Sequence, residues 1–405
     1  MTSSIFDIAI VGGGLAGQTL AAALRHFDFS VALIEGSSLS KADDRVTALN
    51  ASSVRLYERI GLWPNMAKTA QPMHDLRVFD GPKGPGISFE DGKAEVEAAA
   101  HGYVVHNQEI LSALAASRRS DEGLRVYEGT SAHVTDVGVG FSALALADGS
   151  QINTHLVCAA DGGRSPLRSA AGISAFTRNY KQANITATLT HENDHGGIGF
   201  QRFLPGGPAA FIPMTNKQSS LAWTVPQNAA AAILALDDAA FLRLLSDQIF
   251  GQDDADQRGP LTLAGPRSTY PICANIAERF HGDRLLLIGD AAHVIHPLAG
   301  QGFNLTVRDI GVAVELLSDT RGVGGDLGSA ALGRRYSAQR RPDILATFAA
   351  TDTLNRAYST RSPGWKMVRR AAMKIGKRQA MLRQLFSAQA QGSVFGLPEL
   401  MAPKR

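Results

Sequence analysis

Gly12, Gly14 and Gly17 stand in GGGLAG, directly after a short apolar run, and Glu35 falls 23 residues beyond Gly12. This G-x-G-x-x-G spacing is suited to holding a pyrophosphate and a ribose. The first glycine permits a tight turn, the second lets backbone approach the phosphates, and the third lets a helix pack against the preceding strand. The helix N-terminus then faces the phosphates with unpaired N–H groups and a positive dipole end. An acid at the position of Glu35 can bind ribose hydroxyls. The pattern alone suits NAD and FAD equally. A second stretch, GDAAHVIHPLAGQGFN from Gly289 to Asn304, holds one acid, Asp290, with two His, one Pro and three Gly. Neither a plain helix nor a plain strand favours that mixture. It reads as a segment that brings backbone, not bulk, against something bound.

These residues need elements to position them. Phe6–Val11 reads as a buried parallel strand, Gln18–Arg25 as a helix and Val31–Ile34 as a second strand ending at Glu35, a β-α-β unit. Leu285–Ile288 is another buried strand running into the second stretch, and Gly302–Leu317 continues from it as a long helix. Between them, Ala183–Trp223 alternates in strand fashion, with Gly206-Gly207-Pro208 as a hairpin turn. That predicts an antiparallel sheet in a second domain. Asp237–Phe250 has apolar residues at helical spacing.

Composition sets bounds. A chain of 405 residues with 44% hydrophobic and 19% charged residues is an ordinary globular protein, long enough for two intertwined domains. Its 41 Gly point to many tight turns or close backbone approaches. Cys158 and Cys273 make neither a disulfide framework nor a zinc spacing, no metal site is expected, and a reducing cytoplasm fits. The N-terminus lacks the features of a signal peptide, and no apolar run is long enough to span a membrane. The net charge of +3 is uneven: from Arg361 to Arg405 there are ten Lys/Arg and one acid, Glu399, leaving the rest at −6. No nucleic-acid motif accompanies the basic segment.

Three motifs occur in order: GGGLAG with Glu35, then CAADGGRSPLR from Cys158 to Arg168, then the Gly289–Asn304 stretch. Together they resemble the GxGxxG, DG and GD motifs of the flavin-dependent aromatic hydroxylases, the group A flavoprotein monooxygenases. GDAAHVIHPLAGQGFNLTVRD, HENDHGGIGFQRFLPGGPAAFIPM and RRYSAQRRPDILATFAATDTLNR are similar to the ubiquinone-biosynthesis hydroxylases of the UbiH/UbiF type. The resemblance runs from about Phe6 to about Tyr358 and is weakest after Arg361. Cys158 departs from the Val-Gly pair common in relatives, a local packing change.

The resemblance implies an α/β fold. A Rossmann-like FAD-binding domain with a parallel sheet (1–75, 100–180, 265–355) is interleaved with an antiparallel-sheet substrate domain (76–99, 181–264), followed by a basic C-terminal helical tail (356–405). It implies FAD as cofactor and NAD(P)H as electron donor. Expected at FAD are Gly12, Gly14, Ala16, Gly17, Glu35, Arg45, Asn107, Asp161, Asp290, Gly302, Phe303 and Asn304. Pro297 is expected against the isoalloxazine, with Gly300, Gln301 and Gly302 opening a helix aimed at the flavin edge that gains charge on reduction. Phe211, Pro213 and His296 are expected to face substrate. Alternatives stay open: Arg45 as a surface residue, Asn107 as a helix cap, and Phe211, Pro213, His293 and His296 as ordinary core.

The implied chemistry is uptake of O2 by reduced flavin as a C4a-hydroperoxide, and transfer of one oxygen to an electron-rich phenol. The implied substrate is a polyprenylated phenol of ubiquinone biosynthesis; a small soluble phenol is the alternative. No WxWxIP segment supports a halogenase, and the intact glycines and acids argue against a silent scaffold. Ser362-Pro363 reads as a helix start. After it, Trp365, Val368, Ala372, Ile375, Leu382 and Phe386 share a face, surrounded by Lys and Arg. That pattern suits an anionic membrane surface, the chain's own domain, or other ubiquinone-biosynthesis proteins. A cytoplasmic chain is expected, peripheral on the inner face of the membrane where the tail engages it.

Overall fold

The computed structural model describes residues 5–39, 43–81, 86–88, 100, 102–118, 121–250, 258–359 and 396–403. The opening strand Ile5–Val11 lies between Gln151–Ala159 and Val31–Glu35, parallel to both. Leu124–Glu128 extends this sheet on one side and Leu285–Leu287 on the other, again parallel. Strands buried on both faces must be apolar throughout, and Ile8, Ala9, Ile10 and Leu33 are all fully buried. The helix Leu15–His26 packs against Gln301–Gly322, closing one core with the sheet.

A second sheet is ordered His293–Val294, Ser268–Ala277, Ala175–His191, Gln218–Pro226, Gly207–Met214, Ile198–Leu204, Asp75–Asp80 and Gly86–Ser88. Its pairs are antiparallel apart from Ile198–Leu204 with Asp75–Asp80. The hairpin turn expected at Gly206-Gly207-Pro208 lies one residue earlier, at Pro205-Gly206, and Gly207 and Pro208 open the next strand. Helices Gln227–Leu234 and Asp238–Leu245 cover one face, where Phe211, Trp223, Phe241 and Leu245 form a separate core. Asp237 caps the second of these helices by accepting the Ala240 N–H at 2.7 Å. The segment Ser246–Phe250 continues it as a wider turn, not as regular α-helix. A small third sheet joins Val46–Asn50, Gly102–His106 and Gln71–Met73.

The helix Ala330–Ser359 runs unbroken through Pro342 and past the expected start of the tail at residue 356. The basic amphipathic pattern from Trp365 to Phe386 lies outside the described residues. Residues 396–403 lie against the body: Met401 is fully buried, and its carbonyl accepts from Arg55 Nε at 2.6 Å.

Candidate functional site

Open α/β sheets bind ligands beyond the carboxyl ends of their strands, where the strand order reverses. The three motifs meet at that place. Gly12 follows Ile5–Val11, Ala160 follows Gln151–Ala159, and Ile288 follows Leu285–Leu287, each strand paired to the next. Backbone bonds continue the ladder into the turns, with Gly12 N to Ile34 O at 2.8 Å, Ala160 N to Val11 O at 2.8 Å and Ile288 N to Ala159 O at 2.9 Å.

In the first turn, Gly12 has φ +109°, and a Cβ there would meet Ala160 O at 2.3 Å. Gly14 caps the helix Leu15–His26 with no side-chain bond, and a Cβ on it would meet no protein atom within 4 Å. Open space thus lies beside the start of the helix, whose first N–H groups have no partner within it, and Ala16 is partly exposed in that turn. Gln18, which sequence reading passed over, braces the loop by donating to Gly13 O at 2.6 Å, and Arg118 donates in turn to Gln18 Oε1. Glu35 accepts from Gly13 N, Ser37 N and Ser37 Oγ, so one carboxylate ties the strand end to the glycine loop.

In the second turn, Asp161 Oδ2 accepts the Leu167 N–H at 3.1 Å, while Oδ1 is buried without a hydrogen-bond partner. Arg168 donates to Ala291 O at 2.7 Å and to Gly163 O at 3.0 Å, stapling the second turn to the third. Burial pushes the neighbouring Cys158 thiol up to about 12, which makes it an inert packing residue.

In the third turn, Asp290 remains solvent-exposed although protein surrounds it, as at the floor of a cleft. That crowding raises its pKa against the pull of His293 and Arg45. Arg45 lies close enough to act on Asp290 electrostatically, with 73% of its side chain exposed and paired with Asp43 at 2.7 Å. Asn107 is buried, and both ends of its amide are bonded: Nδ2 to Asp43 Oδ2 at 2.9 Å, and Oδ1 from Thr47 Oγ1 at 2.6 Å. Burial raises the Asp43 pKa, but bonds from Arg45 and Asn107 outweigh it and hold the carboxyl at about 2. Asn107 thus acts on Arg45 through Asp43. Tyr270, also missed in sequence, is coupled electrostatically to Arg45, and its hydroxyl accepts from Asn184 Nδ2 at 2.8 Å.

Beyond the third turn, Pro297 is partly exposed and precedes a short 3-10 turn ending at Gly300. Gly300 has φ +61° and caps the helix Gln301–Gly322, whose first turn has neither a capping side chain nor an acid. Asn304 holds that end in place. Its Oδ1 accepts from Asn50 N at 3.0 Å and Ser53 Oγ at 2.8 Å, and its Nδ2 donates to Ala48 O at 2.8 Å. The side chain of Asn304 is thus spent on protein and the residue is buried, while Gly302 and Phe303 at the helix start remain partly exposed. His296 is fully buried, with both ring nitrogens unpartnered and its ring edge-on to Tyr180 at 5.0 Å.

One expectation changes face. Phe211 is fully buried in the helix-covered core, stacked on Phe200 at 4.6 Å. Pro213 is buried as well. Cross-strand pairing puts Tyr270, Asn184, Thr186, Ala222, Ala210, Ser220 and Ile212 on the other face. That face carries Tyr270 and hence looks toward Arg45 and the cleft. Its Thr186, Ala210, Ile212, Ser220 and Ala222 are partly exposed while their chain neighbours are buried. A period of two fixes which residues share a face, but not which face is covered.

The geometry fits FAD. Backbone donors, the space beyond Gly14, the unpaired Asp161 Oδ1 and the crowded yet accessible Asp290 leave room and polar groups for a long phosphate-bearing ligand. Comparison with known proteins agrees. Residues 6–349 match the family described as FAD binding domain. The chain is 37% identical over 404 residues to the ubiquinone hydroxylase UbiL of Rhodospirillum rubrum, covering 98% of this chain and 91% of that one. It is 30% identical to the 3-demethoxyubiquinol 3-hydroxylase of Escherichia coli, covering 95% of this chain and 98% of that one. The solved structure of PqsL from Pseudomonas aeruginosa superposes with a TM-score of 0.77 at 21% identity, covering 88% and 98% of the two chains.

Proposed function

Since the chain belongs to the FAD binding domain family and is a flavin-dependent aromatic hydroxylase, we propose that it hydroxylates the ring of a polyprenylated phenol in ubiquinone biosynthesis, with NAD(P)H as electron donor. One observation carries the substrate class: similarity to UbiL extends over 98% of this chain. FAD, when bound, supplies the activation of O2.

The protein's part is binding, orientation and exclusion of water. Backbone of the turn formed by Gly12, Gly14, Ala16 and Gly17 would hold the pyrophosphate, with Arg45 as its cation and Glu35 at the ribose. Asp161 and Asp290 would accept hydrogen bonds from the cofactor's hydroxyl groups. N–H groups at Gly302, Phe303 and Asn304 would stabilise the ring edge that gains charge, and Pro297 with Gly300 and Gln301 would shape the ring's surroundings. The apolar residues Ala210, Ile212 and Ala222, two of them small, form a wall that would admit an aromatic ring and exclude water from it. A substrate phenol is activated by its own oxygen, so no separate base is assigned. Among the described residues, no helix is long and apolar enough to cross a membrane. The basic segment after Arg361 is the proposed contact with an anionic membrane surface or with other enzymes of the pathway.

The test is mass spectrometry of quinone-pathway lipids after deletion of the gene in its host. Accumulation of an under-hydroxylated polyprenylphenol with a fall in ubiquinone is expected. Unchanged ubiquinone with no accumulated intermediate would move the assignment to a small soluble phenol.

A further inference from the structure

Beneath the third turn lies a buried chain of charges that the cofactor contacts do not use. Asp309, on the helix Gln301–Gly322, is fully buried. Its Oδ2 accepts the Gly289 N–H at 3.0 Å and faces His293 Nε2 at 2.6 Å. A carboxylate only accepts, so Nε2 carries the proton in that bond. The other oxygen, Oδ1, accepts from Arg340 Nε at 2.6 Å. Arg340 continues to Asp343 Oδ2 at 2.7 Å, and Arg308 donates to the same oxygen at 2.5 Å. Every side chain in the series is at most 5% exposed.

The two groups that one Asp309 oxygen holds, Gly289 and His293, flank Asp290 on both sides. Gly289 has φ +59°, and a Cβ there would meet Thr306 Cγ2 at 2.8 Å, so the turn is already pressed against the helix that carries Asp309. Among the described residues no hydrogen bond fixes the Asp290 side chain, which lies on a turn of three residues, Gly289–Ala291. A charged anchor under both shoulders of so short a turn leaves its middle residue little freedom.

We propose that Asp309 is a positioning residue for Asp290, holding the Gly289–His293 turn so that the Asp290 carboxylate stands in the cleft, with Arg340 fixing Asp309 in turn. The proposal rests on the reading that Asp290 contacts FAD. Asp343 and Arg308, farther along the series, serve stability and not cofactor geometry.

The experiment measures FAD affinity of apoprotein by quenching of flavin fluorescence, beside the urea midpoint of the same apoprotein. Asp309→Asn is expected to weaken FAD roughly ten- to a hundredfold, the scale on which supporting partners of a ligand-bearing residue act. Asp343→Asn, equally buried, is expected to lower the urea midpoint while leaving FAD affinity within about twofold of wild type. If Asp309→Asn does not fold, Arg340→Lys is measured with the same expectation and the same control. Equal weakening of FAD by the Asp309 and Asp343 variants, or wild-type affinity in Asp309→Asn, overturns the proposal. Asp290→Ala separates the two readings. If it weakens FAD while Asp309→Asn does not, only the positioning role falls; if it leaves FAD binding unchanged, the contact reading falls and the positioning role with it.

Discussion

A Cβ on Gly17 would stand 1.8 Å from the carbonyl oxygen of Gly12. No L side chain can occupy that point, so the close passage of helix over turn is written into these two positions. Gly14, two residues from Gly12, is different in kind: its φ is −69° and its missing Cβ points into space empty of protein.

This contrast separates folding from binding. Gly12→Ala, at φ +109° and with a Cβ 2.3 Å from Ala160 O, is expected to cost roughly 3 kcal/mol or more and to lose FAD through the displaced turn. Gly14→Ala is expected to leave apoprotein stability within about 0.5 kcal/mol and to weaken FAD at least about tenfold. Urea unfolding and flavin titration of the two apoproteins check this. Wild-type FAD affinity in Gly14→Ala would mean that no ligand closely approaches the backbone there.

The two faces of the second sheet make opposite predictions. Phe211→Ala removes a fully buried ring from the helix-covered core and is expected to cost about 3–5 kcal/mol, with turnover per folded enzyme largely kept. Ala222→Phe adds bulk to the partly exposed face and is expected to raise KM at least about tenfold with little loss of stability. Steady-state kinetics beside denaturation decide the matter. A KM effect from Phe211→Ala and none from Ala222→Phe would reverse the assignment of faces.

His296 gives a pH dependence with a definite sign. Burial pushes its pKa down from 6.5 to about 4, so the folded protein holds the ring neutral. Between those values the unfolded state binds the extra proton. Stability is therefore full above about pH 6.5 and is lost as pH falls toward 4, by about 3 kcal/mol in all. His296→Leu is expected to remove that share of the acid loss. Urea midpoints from pH 4.5 to 7 measure it, and an unchanged slope in the variant would show that His296 is not the group responsible.

Much of the site was legible because local chemistry demands particular residues. GGGLAG and Glu35 announce a strand, a phosphate-sized turn and a helix, since only glycine tolerates those approaches. Asp161 and Asp290 stand out as lone acids among small residues. The supports did not stand out. Gln18 braces Gly13 as one polar residue of an Ala-rich helix, and Asn50 meets Asn304 from a distant part of the chain; Arg168, readable as a turn salt-bridge residue, instead donates to the backbone of Ala291 in another turn.

By itself the sequence determined the three glycine turns, the β-α-β unit and the alternation of the second sheet. These follow from backbone sterics and side-chain period, which act over a few residues. Tertiary structure alone decided that Phe211 faces the helices, that Asn107 reaches Arg45 only through Asp43, and that Asp309 lies under Gly289. A strand's alternation is symmetric between its two faces until another layer covers one of them. A buried carboxylate likewise has no identifiable partner until distant helices bring Arg340 and His293 against it.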